Sequence, residues 1–207
     1  MNKIWIFLPA LLVFACHQQN KQNEATGQAN GSIAMDAALH GLFEPQIVVK
    51  MHFFSARDSA GVPADYPYAG IKIDGQLLNL LDGSLSEGEG SSELHACYFI
   101  ENAGNYVLRS GRDLLLARWN AGTGRLEKTL VLASYDCQNA SCRQQDAWLI
   151  DLDDDRSLEL IIRSQAKDAG GNILADDFKV LSEKDDSYSD SSPELIALAI
   201  KDRYLLH

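Results

Sequence analysis

Asp151, Asp153, Asp155 and Glu159 recur along one acidic stretch, with Ser157 between the last two. Carboxylates at alternate positions can turn onto one centre when the chain between them forms a loop. The chemistry such a set supports is capture of a hard cation. Calcium takes about six to eight oxygens at about 2.3–2.6 Å. Three or four carboxylates supply most of these, and the Ser157 carbonyl supplies one more. The sixth position holds Arg156 and the twelfth holds Ile162, where an EF-hand needs Gly and Glu, so the stretch is not an EF-hand. A second reading fits the same residues. Aspartates favour turns because they bond nearby backbone amides, which gives a solvated hairpin turn. Carboxylates crowded without a cation repel one another, and this favours the metal without removing the turn.

The acidic stretch sits between two apolar runs, 148–152 and 158–163. Over residues 148–163 it resembles the Asp-x-Asp-x-Asp-Gly-x-x-Asp calcium loops of FG-GAP and related β-propeller repeats, where the loop joins two strands. The resemblance implies Asp151, Asp153, Asp155 and Glu159 as side-chain ligands of calcium and Ser157 as the carbonyl ligand. This chain departs from the pattern twice. Arg156 replaces the glycine that most easily takes φ > 0, and Glu159 replaces an aspartate.

Other chemistry is sparse. No nucleophile elbow, Cys-x-x-Cys or phosphate-cradling glycine loop occurs in the sequence. His95-x-Cys97 offers too few ligands for zinc, which wants four in a recognisable spacing. His40, His52 and His95 have no evident triad partner. Carboxylates in the loops 56–70 and 82–93, the latter with Glu87, Glu89 and Glu93, leave a hydrolase as one alternative to a non-catalytic binding or scaffolding domain; a subunit of a larger envelope assembly, marked by an exposed apolar patch, is another. Tyr66 and Tyr68 flank Pro67 in the first of these loops. They suit either a contact surface for a glycan or protein partner, or packing of the loop onto the core.

The N-terminus speaks to compartment. Lys3 precedes an apolar run, 4–14, too short for the ~20 residues that a bilayer span needs. The run ends in Val13-Phe14-Ala15-Cys16. This resembles the lipobox of bacterial lipoproteins, which implies cleavage before Cys16, lipid on its sulfur and a membrane partner. His17, not Asp, follows the cysteine, and by the same resemblance this points to the outer membrane of the cell envelope. Three cysteines remain. In an oxidising compartment, Cys137 and Cys142 are expected to form a disulfide closing a hairpin. Cys97 lies in an apolar run as a buried thiol, or as a rival partner for one of the pair.

The remaining sequence must position these groups. The chain has 207 residues, 46% apolar, with a formal charge of −11. So acidic a protein is a poor ligand for nucleic acid, whose affinity comes mainly from cations neutralising phosphates. Residues 1–15 read as the signal peptide and 16–32 as the lipidated cysteine with a polar tether. Residues 33–207 read as one domain of ordinary core size. A short helix is expected over 32–43 and a strand over 46–54. Residues 71–81 suggest a hairpin turning at Asp74-Gly75. From Leu94 the rhythm is regular, with strands over 94–100, 106–110, 114–119, 126–134, 147–152 and 158–164 separated by glycine turns. A further strand is expected over 177–182 and an exposed acidic run over 183–192. Ser192-Pro193-Glu194 then starts a terminal helix, with a last strand over Leu195 to Ile200 as the rival reading. The fold class expected is mainly β, an antiparallel meander closing as a sandwich, open barrel or partial propeller-like sheet, with short terminal helices.

Overall fold

A computed structural model describes residues 36–56, 65–85, 93–138, 141–184 and 187–201. From Ala38 onward the chain forms one compact unit. Among the described residues it carries eleven strands. They are β1 (Glu44–Gln46), β2 (Lys50–Phe53), β3 (Ile71–Lys72), β4 (Leu94–Ile100), β5 (Asn105–Ser110), β6 (Asp113–Asn120), β7 (Arg125–Gln138), β8 (Ser141–Ile150), β9 (Glu159–Asp168), β10 (Ile173–Lys184) and β11 (Ser187–Asp190). Residues 36–40 are helical. Gly75–Leu80 and Gly83–Leu85 are 3-10 turns, and helix α1 (Pro193–Lys201) ends the described chain.

The strands make one open sheet in the order β1-β4-β5-β6-β7-β8-β9-β10-β11, with β3 also on β4 and β2 also on β8. From β4 to β11 the sheet is an antiparallel meander, while β1 joins β4 in parallel. Glycine-bearing turns join β4 to β5, β5 to β6, β6 to β7 and β9 to β10, and bring each of these strands beside its predecessor.

One strand serves two neighbourhoods. β7 pairs with β6 as far as Ala133 and with β8 from Ser134 onward. The two halves of the sheet enclose a common core, in which Val107, Leu114 and Leu116 of the first half cluster with Leu149 and Leu160 of the second. The opposite face of the first half is covered by Leu39, Phe43, Ile73, Leu81 and Leu85 from the preceding turns. The opposite face of the second half buries Trp148, Ile161 and Val180 against Ala199 of α1. Strands with one face on each of two cores lose the simple polar-apolar alternation, and β6 accordingly buries Leu114, Leu115, Leu116 and Ala117 in succession.

Three expectations need correction. The strand over 46–54 is broken at 47–49, because the Val48 amide donates to Asn102 Oδ1 (3.1 Å) and its carbonyl accepts from Asn102 Nδ2 (2.8 Å). A side-chain amide thus replaces the neighbouring strand. Residues 77–81 form no hairpin strand; Gly75 takes φ 58°, but a 3-10 turn follows. Its Leu77 and Leu80, three apart and so stacked on one side, pack against the second core. The run 183–192 is not merely an exposed loop. It contains β11, and Tyr188 packs against the main core.

Candidate metal centre

β8 and β9 pair from Ser141↔Asp168 to Ile150↔Glu159, so the acidic stretch is the loop that closes this hairpin. Apolar burial fixes the register, since Leu149 and Leu160, opposite one another, are both fully buried. Asp151 therefore leaves the end of β8 just as Glu159 enters β9.

The loop is held by its own carboxylates. Asp151 Oδ1 accepts the Asp155 amide (3.1 Å) and its Oδ2 accepts the Arg156 amide (3.0 Å). Asp153 Oδ1 also accepts from Asp155 (3.3 Å), and Asp155 Oδ1 accepts the Ser157 amide (2.7 Å). Two residues, Asp154 (φ 61°) and Arg156 (φ 76°), are left-handed. Arg156 thus adopts a backbone that glycine takes most easily, at a cost of about 1–2 kcal/mol. The Asp151 carboxylate receives its amide and offsets part of that cost.

One ligand oxygen each from Asp151, Asp153 and Glu159 lie within 4.8 Å of one another. Asp155 is not in this trio, and its Oδ1 accepts the Ser157 amide. Ser157 enters the loop through that amide. Glu159 is only 4% exposed, and its Oε2 accepts the Leu152 amide at 2.9 Å. Burial pushes the Glu159 carboxyl above its ordinary range; the Leu152 amide pulls it down, and the charges of Asp153 and Asp155 push it up again. A buried carboxylate beside two others is the environment that a cation relieves.

The predicted disulfide is present: Cys137 and Cys142 face each other across β7 and β8, with S–S 2.06 Å. Cys97 is a free, buried thiol, and burial raises it to about 12. Cys16 and residues 1–35 lie outside the described residues, as do 57–64 and 86–92, which hold much of the two loops considered for hydrolysis, Glu87 and Glu89 included. Glu93 forms an ion pair with Lys72. Tyr66 and Tyr68 are buried, so they pack the loop down and offer no exposed contact surface; their hydroxyls donate to the carbonyls of Phe54 and His52. His40 meets the Tyr106 hydroxyl at 3.1 Å, His52 stacks on Trp148 at 4.4 Å, and His95 meets the Glu93 carbonyl at 3.3 Å. Burial, then the Arg109 charge, lowers the His95 pKa.

A cleft of about 580 Å³ opens beside the β6–β7 turn, lined by Arg118, Asn120, Glu127, Thr129 and Ser187. Its polar groups largely satisfy one another. Arg118 pairs with Glu183 at 2.7 Å, and Glu127 accepts Asn120 Nδ2 (3.0 and 3.1 Å) and the Thr123 hydroxyl (2.9 Å). Sequence reasoning missed Arg109. Only 8% exposed, it donates to the carbonyls of Tyr68, Ala69 and Gly111 and holds residues 68–70 against β5. A lone arginine in an apolar strand was the available signal. No family model, curated protein or solved structure matches this chain.

Proposed function

We propose that this chain is a lipid-anchored protein of the bacterial envelope, whose β domain serves a non-catalytic binding or scaffolding role and whose 151–159 loop is a calcium site. The observation that carries the calcium reading is the meeting of Asp151, Asp153 and Glu159 at the mouth of one hairpin. The donor set fits the ion. All three groups are carboxylates, and an ionised carboxylate offers about four lone-pair sites, so oxygens already accepting an amide keep capacity. Calcium there would tie the end of β8 to the start of β9 and neutralise a crowded acidic turn. The envelope reading is supported by Val13-Phe14-Ala15-Cys16. A disulfide between Cys137 and Cys142 also suits an oxidising compartment.

The test is the melting temperature of the full chain in EDTA and in millimolar calcium, beside an Asp151→Asn, Asp153→Asn double variant. Calcium at 100 times its Kd stabilises the folded state by about 2.7 kcal/mol, a rise of about 5–10 °C for a domain of this size. The variant should lose the rise. An unmoved melting temperature in the unsubstituted chain would show the loop to be a solvated turn.

A further inference from the structure

Ile47 and Val49 are 75% and 76% exposed, while Val48 between them is 4% exposed. Two large β-branched side chains therefore stand off the surface on either side of a buried residue. The segment is rigid. Val48 is held at both its amide and its carbonyl by Asn102, and the Gln46 carbonyl accepts the Glu101 amide at 2.9 Å. β-Branched side chains are also stiff at χ1. The two aliphatic groups are thus presented in a fixed arrangement, and a partner need not order them on binding. Ile173 and Leu174, the other adjacent exposed pair, are successive in a strand and so point to opposite faces.

We propose that Ile47 and Val49 form a lipid contact that sets this face of the domain against the bilayer to which the chain is anchored. The proposal rests on the lipid-anchored reading of Cys16. From Cys16 the chain runs 22 residues to Ala38, where the compact unit begins, and Ile47 follows nine residues later. A chain spans at most ~3.5 Å per residue, so the domain stays within roughly 75 Å of its anchor. Contact with the membrane is then intramolecular, at an effective concentration on the order of millimolar. Two aliphatic side chains could not retain a free protein, since even one myristoyl chain is marginal. For an anchored protein they need only select an orientation. With a formal charge of −11 the chain gains no general attraction to anionic headgroups, so an orienting contact has to be apolar.

The full chain, purified with its lipid and carrying Val49→Trp, is incorporated into phosphatidylcholine vesicles with brominated acyl chains. The emission added by the substitution should be blue-shifted and lose most of its intensity to the bromine. Adding Ile47→Asn should weaken that quenching while leaving the melting temperature unchanged. Protein that floats with the vesicles while the introduced indole stays bright and water-exposed overturns the contact and leaves the anchor intact. Protein that fails to float, as Cys16→Ala should, removes the anchor reading and the contact with it. A blue shift that needs no vesicles and grows with protein concentration assigns the patch to a second copy and also overturns the proposal.

Discussion

Glu159 combines burial with a carboxyl displaced upward, and the sign of that displacement is informative. Its folded-state pKa lies above the ordinary 4.5, so the folded chain binds this proton more tightly than the unfolded chain does. Its contribution to stability is therefore greatest at low pH and falls as pH rises from the ordinary value through the folded one. At neutral pH the ionised group is a local cost that a cation can remove. Glu159→Gln keeps an oxygen for the Leu152 amide and sheds the charge. It should raise the melting temperature in EDTA at pH 7, with the advantage vanishing below about pH 4, and it should blunt the response to calcium. A variant less stable than its parent in EDTA would refute this account of the site. The cysteines allow a cleaner test. Closing the short Cys137–Cys142 loop restrains the unfolded chain by about 2 kcal/mol on a chain-entropy estimate. Cys137→Ser should cost that much under oxidising conditions and nothing in reductant. Equal loss in both would mean that the serine disturbs the hairpin itself.

At the level of elements, the segment 65–70 shows how a loop becomes part of a core. Tyr66 and Tyr68 are buried in it, Arg109 holds its carbonyls, and Gly70 closes it with φ +66°. A Cβ on Gly70 would lie 2.6 Å from the Ala96 carbonyl oxygen and 2.9 Å from Cys97 Sγ. Gly70→Ala should destabilise by at least ~2 kcal/mol, read as a lower denaturant midpoint, because backbone on β4 cannot yield as a side-chain tip can. An unchanged midpoint would show that the segment is free to move. The apolar parts of the strands were legible because apolar runs and glycine turns repeat: 94–100 is β4 to the residue, and β5, β6, β7 and β9 begin within one residue of expectation, whereas β7, β8, β9 and β10 run four to six residues further than expected into polar sequence. β11 was not legible, since Tyr188 is its lone aromatic amid serines and acids. The 3-10 turn at 75–80 hid for a related reason: its leucines carry no period that separates a strand from a tight turn. In the candidate site, spacing was enough to point to Asp151, Asp153 and Glu159. Asp155, which accepts the Ser157 amide, lies between left-handed residues at 154 and 156, a backbone that a non-glycine sequence does not announce.

Across the whole molecule, β7 belongs to both halves of the sheet and the core beneath it is shared, so one half is not expected to unfold without the other. The topology also has a temporal meaning. Nearly every strand from β4 onward pairs with its neighbour in sequence, and such contacts close small loops quickly. Before β4 the pairings are longer: β1 and β3 reach forward to β4, and β2 reaches furthest, with Phe53 meeting Ala147. Its slot on β8 exists only after the meander is built. We expect β2 to dock last, with Phe53→Leu accelerating unfolding while leaving the folding rate nearly unchanged. A folding rate slowed in proportion to the lost stability would place β2 in the nucleus instead. During synthesis the order is reversed: β2 emerges early and must wait, solvated, for a partner made some ninety residues later. Until then Phe53, fully buried in the folded chain, stays exposed to water.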